Sequence, residues 1–398
     1  MSYSLDLQPR CVGSTGDDFN ASAAGSDASV QDDTGTGRES GNYFRKALFT
    51  PDGTSIITQN ADNCLRTFVL PTDLLDDQEQ PKALTPYAAW RSGSNIQSCA
   101  IYPGFDLRNP ATTFVLAGSA NVPVTLRNAL GYETVQGSYP LVHPTTEEHQ
   151  PPRSLAFTRD GTQFLVGSES ILAAFDCSQF GEGPTITHKL RPGRKATHGL
   201  RTLRRKGFVS AMSISNDGLL AIGTNEREVA LYENEGLGAW ISSFELEAGL
   251  GTGVSDLKWS PCGRYLLVAE RQSNVIQVYD VRDTQQKIAD LTGRYATTPQ
   301  TLNIDVVPTA SGCEVWGGGS DGVVRMWSNP GAGEGDQTPS ASFKLHDSAV
   351  ASVIVHPVGA VMATASGERA TAGALRDDDE QSEAGRQGED CSLKVWTV

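Results

Sequence analysis

Phe49-Thr-Pro-Asp-Gly53 sets the fold, because it comes back along the chain. It returns as Phe157-Thr-Arg-Asp-Gly161, Ile214-Ser-Asn-Asp-Gly218, Trp259-Ser-Pro-Cys-Gly263 and Val355-His-Pro-Val-Gly359. Each copy follows a short alternating apolar strand. Each precedes a second apolar run: Ile56-Ile57, Phe164-Leu-Val166, Leu219-Leu-Ala221, Tyr265-Leu-Leu267 and Val361-Met-Ala363. Several copies add a third strand ending on an aromatic residue, as in Val323-Val-Arg-Met-Trp327. A strand–turn–strand unit of this length is one small antiparallel sheet. One such sheet cannot bury both faces, so like sheets stack radially until the ring closes. The chain is therefore expected to be all-β.

The turn positions count the sheets. They fall at Asp52, Asp160, Asp217, Cys262 and Val358. The 108-residue gap from Asp52 to Asp160 holds two units, the second with strands Gln97–Tyr102, Phe114–Ala117 and Val122–Thr125. The 96-residue gap from Cys262 to Val358 also holds two, the extra one with strands at 302–307, 314–316 and 323–327. The total is seven, which predicts a seven-bladed WD40 β-propeller. In the last blade Leu345-His346-Asp347 opens like the Gly-His of a WD repeat, and Ser392-Leu-Lys-Val-Trp396 supplies the third strand. His346, Asp390 and Trp396 are expected to meet in a buried hydrogen-bond chain, with 367–389 inserted in one tight turn. Asp321 and Trp327 hold the corresponding places one blade earlier. The sequence stops at Val398, so closure is expected from an N-terminal strand within residues 1–12, where Tyr3, Leu5 and Leu7 alternate.

Composition divides the chain further. Residues 13–41 are rich in Gly, Ser, Ala, Thr and Asp and are expected to be disordered, as is the acidic insertion 367–389. Residues 42–398 form the propeller around that insertion. The two low-complexity stretches carry most of the formal net charge of −15. Seven scattered cysteines, an odd number without Cys-x-x-Cys spacing, read as reduced intracellular thiols. There is no N-terminal apolar run and no apolar stretch long enough for a membrane span.

Against this acidic background one segment stands out. Lys189 to Lys206 reads KLRPGRKATHGLRTLRRK, with eight cations and no acid: Lys189, Arg191, Arg194, Lys195, Arg201, Arg204, Arg205 and Lys206. It should run from the outer strand of blade 3 into blade 4. That places it on the same propeller face as the acidic insertion. Flexible cations of this density suit RNA phosphates. A nuclear import signal, a contact for an acidic protein segment and a plain solvated loop remain open alternatives. Elsewhere the chemistry is thin. Gly317-Gly-Gly-Ser-Asp-Gly322 lacks the Gly-Lys-Ser/Thr ending of a phosphate loop and reads as a blade turn. His143 and His149 flank two glutamates in a loop with no third fixed ligand, and His356 reads as a strand-end residue. No nucleophile elbow or carboxylate pair is visible. No enzyme activity, metal, cofactor or small-molecule substrate is expected.

Three segments resemble a known family. Residues 49–71, with Ala61-Asp-Asn63 and Leu65-Arg66 leading to Leu70-Pro71, are similar to the opening blade of the telomerase Cajal body protein family. His356-Pro357 with Ala363-Thr-Ala-Ser-Gly-Glu-Arg369, followed by acids, resembles that family's last blade, and Arg191-Pro-Gly-Arg194 its third-to-fourth blade junction. The resemblance implies an RNA-binding nuclear propeller with ribonucleoprotein partners; a monomer is expected, with the nucleus as its location and the cytoplasm as the second option. Animal members recognise small Cajal body RNAs and telomerase RNA, and small fungal relatives are associated with spliceosomal particles. The alternative from another class is a protein scaffold of G-protein β type. Residues 1–43 hold no heptads for the coiled coil such a subunit uses.

Overall fold

The computed structural model describes residues 8–19, 42–190, 207–247, 251–283, 286–369 and 390–398. Seven sheets, antiparallel apart from a short parallel strand added to two of them, form a β-propeller, and the described residues contain no α-helix. The inner strands are Phe44–Phe49, Ile96–Ile101, Ser154–Phe157, Val209–Ile214, Val254–Trp259, Ile304–Thr309 and Val350–Val355. Blade 2 differs from the expected register at one point. Its third strand is Val124–Asn128, because Asn121 turns the chain at φ 62° and leaves Val122 exposed before the ladder begins.

The second strand of each blade explains the ring. Successive side chains on a strand point to opposite faces. Phe164 and Val166 pack towards blade 2, while Leu165 between them packs towards blade 4. Ile56 faces blade 7 and Ile57 faces blade 2. Both faces of these strands are buried, so they read as continuous apolar runs. Seven apolar clusters result, one between each neighbouring pair of blades. The recurrent glycines have a local cause. Gly53, Gly161, Gly218, Gly263 and Gly359 all lie at φ between 70° and 81°, where a side chain is strained. Beside four of them a hydroxyl on Thr50, Thr158, Ser215 or Ser260 accepts the amide that restarts the next strand.

The last blade takes its fourth strand from Arg10–Ser14, antiparallel to Leu393–Thr397 with a bulge between Cys11 and Gly13. Tyr3, Leu5 and Leu7 lie outside the described residues. The pairing also runs further than residue 12. The Thr15 amide donates to Leu393 O, and the Phe19 amide donates to Cys391 O. Phe19 packs against Phe44 and Phe68. The low-complexity boundary expected at residue 13 thus falls later. Backbone groups satisfy an open sheet edge whatever the side-chain composition, and Phe19 supplies the apolar anchor. Lys82–Ala83 adds a short parallel strand outside Arg10–Ser14, covering what would be a bare edge. All seven cysteines are free. Among the described residues no helix is long and apolar enough to cross a membrane.

Candidate nucleic-acid interface

In each blade the start of the inner strand and the turn between the second and third strands share one propeller face. Both ends of the basic segment attach to that face. Lys189 closes the outer strand Ile186–Lys189 of blade 3 with an exposed side chain. Arg191, Arg194, Lys195, Arg201, Arg204, Arg205 and Lys206 lie outside the described residues. The ends of the segment are held close together. Leu190 is buried and its amide donates to Ser170 O, while Gly207 O accepts the Ser170 amide. The Phe208 amide then donates to Asn225 Oδ1 at 2.6 Å. The acidic insertion leaves after Arg369 and returns at Asp390, on the same face; its residues 370–389 are outside the described part.

Between these attachment points lies the mouth of the central channel, a cavity of about 420 Å³. Five cationic side chains line it: Arg45, Lys46, Arg153, Arg271 and Arg369. Among the described residues Asp256 is the one carboxylate in the lining. Its oxygens accept the Leu257 and Ile304 amides, both at 3.0 Å. Arg153 donates to Gln97 at 2.6 Å, sits 4.8 Å from the Phe208 ring centroid and reaches Glu169 at 3.5 Å. Arg45 donates to Asn95 Oδ1 at 3.0 Å. Arg271, Arg369 and Lys46 form no ion pair among the described residues. The concave wall around Arg271 desolvates it, and with the like charges of Arg369 and Arg153 holds it below the usual guanidinium value. Sequence reading missed this cluster because its members come from blades 1, 3, 5 and 7, more than 300 residues apart at the extremes. The only signal was positional: a cation at the start of an inner strand or in the turn after a second strand. A second concavity, of about 460 Å³, lies between blades 1 and 2, where Arg127 stacks over Trp90 at 3.9 Å.

The three residues of the last blade's network do meet. Trp396 Nε1 donates to Thr364 Oγ1 at 2.8 Å, and Thr364 Oγ1 lies 2.6 Å from His346 Nε2. His346 Nδ1 lies 2.9 Å from Asp390. The ionised Asp390 carboxylate can only accept, so His346 Nδ1 donates to it; with burial favouring the neutral ring, Nε2 is left to accept from the threonine hydroxyl. Burial lowers the His346 pKa, and the opposing pull of Asp390 does not restore it. Burial pushes the Asp390 carboxyl up, but hydrogen bonds from His346, Ser392 and the Asp347 amide outweigh it and hold the group well below the usual range.

Asp321 and Trp327 do not form a second copy. Asp321 makes a two-pronged ion pair with Arg325, at 3.1 and 2.6 Å, and Trp327 Nε1 donates to Thr292 O. Asp62–Arg66 in blade 1 and Asp390–Lys394 in blade 7 repeat this acid-to-base spacing of four. The turn acid thus pairs forward along its own third strand, and only blade 7 adds a histidine. His356 is more than a strand end: its Nε2 lies 3.1 Å from Gly53 O and ties blade 7 to blade 1. The His143 ring accepts the Thr145 and Thr146 amides, and no metal-binding group of three or more His, Cys, Asp or Glu occurs among the described residues.

No family model matches the chain. It is 27% identical over 367 residues to human telomerase Cajal body protein 1, spanning 90% of this chain and 61% of that protein. It is also 27% identical over 297 residues to guanine nucleotide-binding protein negative regulator 1 of Schizosaccharomyces pombe, spanning 72% of this chain and 71% of that one. Protein SWT21 of Zygosaccharomyces rouxii is 23% identical over 292 residues, covering 71% of this chain and 65% of the relative. The match thus spans about three fifths of the human relative's length. The resemblance to the telomerase Cajal body protein family, read first from residues 49–71 and 356–369, therefore extends over most of the chain.

Proposed function

We propose that this chain is a non-catalytic RNA-binding scaffold of nuclear ribonucleoproteins, with small nuclear or small Cajal body RNA, telomerase RNA included, as its target. The observation that carries the reading is the basic segment Lys189–Lys206, attached at both ends to the face that also holds the cationic channel mouth. The names of the mammalian relatives point the same way, towards the nucleus and the Cajal body. The ring fixes the segment's two attachment points, Leu190 and Gly207. Lys189, Arg191, Arg194, Lys195, Arg201, Arg204, Arg205 and Lys206 then neutralise phosphates and release counterions. Its protein partners are other ribonucleoprotein components. The second reading, a protein scaffold of G-protein β type, is favoured by the name of the fission-yeast relative.

Titration of a short single-stranded RNA at several salt concentrations tests the proposal. If about four of the eight cations reach phosphates, log affinity falls with log salt at a slope near −3, at ~0.7 per contact. Replacing Arg204, Arg205 and Lys206 together with Ala flattens that slope by ~0.7 for each of the three that reaches a phosphate, roughly 2 at most. RNA affinity indifferent to all eight substitutions removes the phosphate role. Lost nuclear import with unchanged RNA affinity leaves the segment as a targeting signal.

A further inference from the structure

We propose that the mouth of the central channel is a phosphate site for single-stranded RNA, built by Arg153, Arg271 and Arg369, with Phe208 walling an adjoining pocket for an unpaired base. The proposal deepens the RNA-binding reading and rests on it for the identity of the polymer. Its residues are separate from the basic segment.

Charge is the first argument. Among the described residues five cations converge on one cavity, and the one carboxylate lining it is already engaged by backbone amides. Glu169 offsets only Arg153, at 3.5 Å. Arg369 and Arg153 both lie close enough to Arg271 for their like charges to act on it, in a wall that already desolvates it. Such a cluster is relieved by an anion that several guanidiniums contact together.

Shape is the second argument. A groove of about 280 Å³ opens off the mouth and shares Ser210, Arg271 and Pro299 with it. Phe208, Asn225 and Gln272 form its other walls. Arg153 already lies on the Phe208 ring, so that aromatic wall is fixed next to the cation. A nucleotide matches both halves: its phosphate meets the arginines, and its base meets an aromatic ring and side-chain amides. An acidic polypeptide matches only the cationic half.

The test uses the full chain and a labelled single-stranded RNA of about ten nucleotides, within the site sizes of such platforms. Arg271 and Arg369 are both exposed, so the double variant Arg271→Glu/Arg369→Glu should keep the wild-type melting temperature. It is expected to lose RNA affinity by roughly tenfold or more at low salt and to flatten the salt slope by about 1 to 2. Arg271→Gln/Arg369→Gln, which adds no repulsion, should show a smaller loss in the same direction. Phe208→Leu should weaken binding of normal RNA and leave binding of an abasic strand of equal length unchanged. If both arginine pairs bind RNA like wild type while the Arg204, Arg205 and Lys206 triple variant does not, the channel site is overturned and the RNA reading survives. If wild type binds no RNA, both fall. Equal loss of normal and abasic RNA on Phe208→Leu overturns the base pocket. Tight binding of polyglutamate, abolished by Arg271→Glu/Arg369→Glu, with RNA affinity unaffected, assigns the mouth to acidic protein and overturns the proposal.

Discussion

Removing residues 1–14 is expected to lower the melting temperature by on the order of 10 °C. Arg10–Ser14 is the fourth strand of blade 7, and its loss leaves Leu393–Thr397 as an open edge. Val12 is 2% exposed and packs in the cluster that joins blade 7 to blade 1. Exposing one such side chain costs about 1.5–3 kcal/mol, and each ladder hydrogen bond contributes about 1 kcal/mol net. The total is about 5 kcal/mol, concentrated at the seam where the ring closes. An open edge also pairs with other chains, so the truncated protein should aggregate more readily. Differential scanning calorimetry checks this. Unchanged melting would refute closure by the N-terminal strand while leaving the blade count intact.

Asp390→Ala is expected to destabilise the protein by roughly 3 kcal/mol, measured by urea unfolding. The carboxylate accepts from Ser392 at 2.5 Å, from Ser366 at 3.0 Å and from the Asp347 amide at 3.1 Å, besides His346. Its removal strands buried donors, at about 1–3 kcal/mol for each left unsatisfied. Asp390 lies in blade 7, 20 residues of undescribed chain after Arg369, so a loss of this size also shows that the insertion leaves the turn closed. The network carries a pH signature. The folded-state pKa values of His346 and Asp390 are both lowered, so the unfolded chain binds more protons than the folded one. The stability these groups contribute is complete above the ordinary histidine value of about 6.5. It declines below that pH as the unfolded histidine protonates, and again below about 4, the ordinary carboxylate value, towards the lower folded-state value of Asp390. His346→Gln should remove the first of these declines.

Local chemistry made the ring legible. A glycine forced to positive φ must recur wherever the turn recurs, and a strand buried on both faces must read as an apolar run. Gly53 through Gly359 and Ile56-Ile57 through Val361-Met-Ala363 therefore announced the blades. His346, Asp390 and Trp396 were legible because blade 7 keeps every member of its hydrogen-bond chain. Asp321 and Trp327 look alike in sequence, yet without a histidine the acid turns to Arg325. Closure was harder to place. Backbone pairing at Arg10–Ser14 depends on an edge that residues 393–397 present, and the N-terminal sequence carries no mark of it. The channel mouth was illegible for a different reason. Arg45, Arg153, Arg271 and Arg369 become neighbours only through ring closure, and the sum of charge at one point is a property of the closed ring.

Ultraviolet crosslinking of the full chain in its own cells, followed by sequencing of the bound RNA, tests the central claim most directly. The account predicts that small nuclear or small Cajal body RNAs are recovered well above an uncrosslinked control. It further predicts that recovery drops when Arg204, Arg205 and Lys206 are replaced and drops again with Arg271→Glu/Arg369→Glu. Recovery no higher than the control, from protein that is folded and nuclear, would contradict an RNA-binding scaffold and leave the protein-scaffold reading in its place.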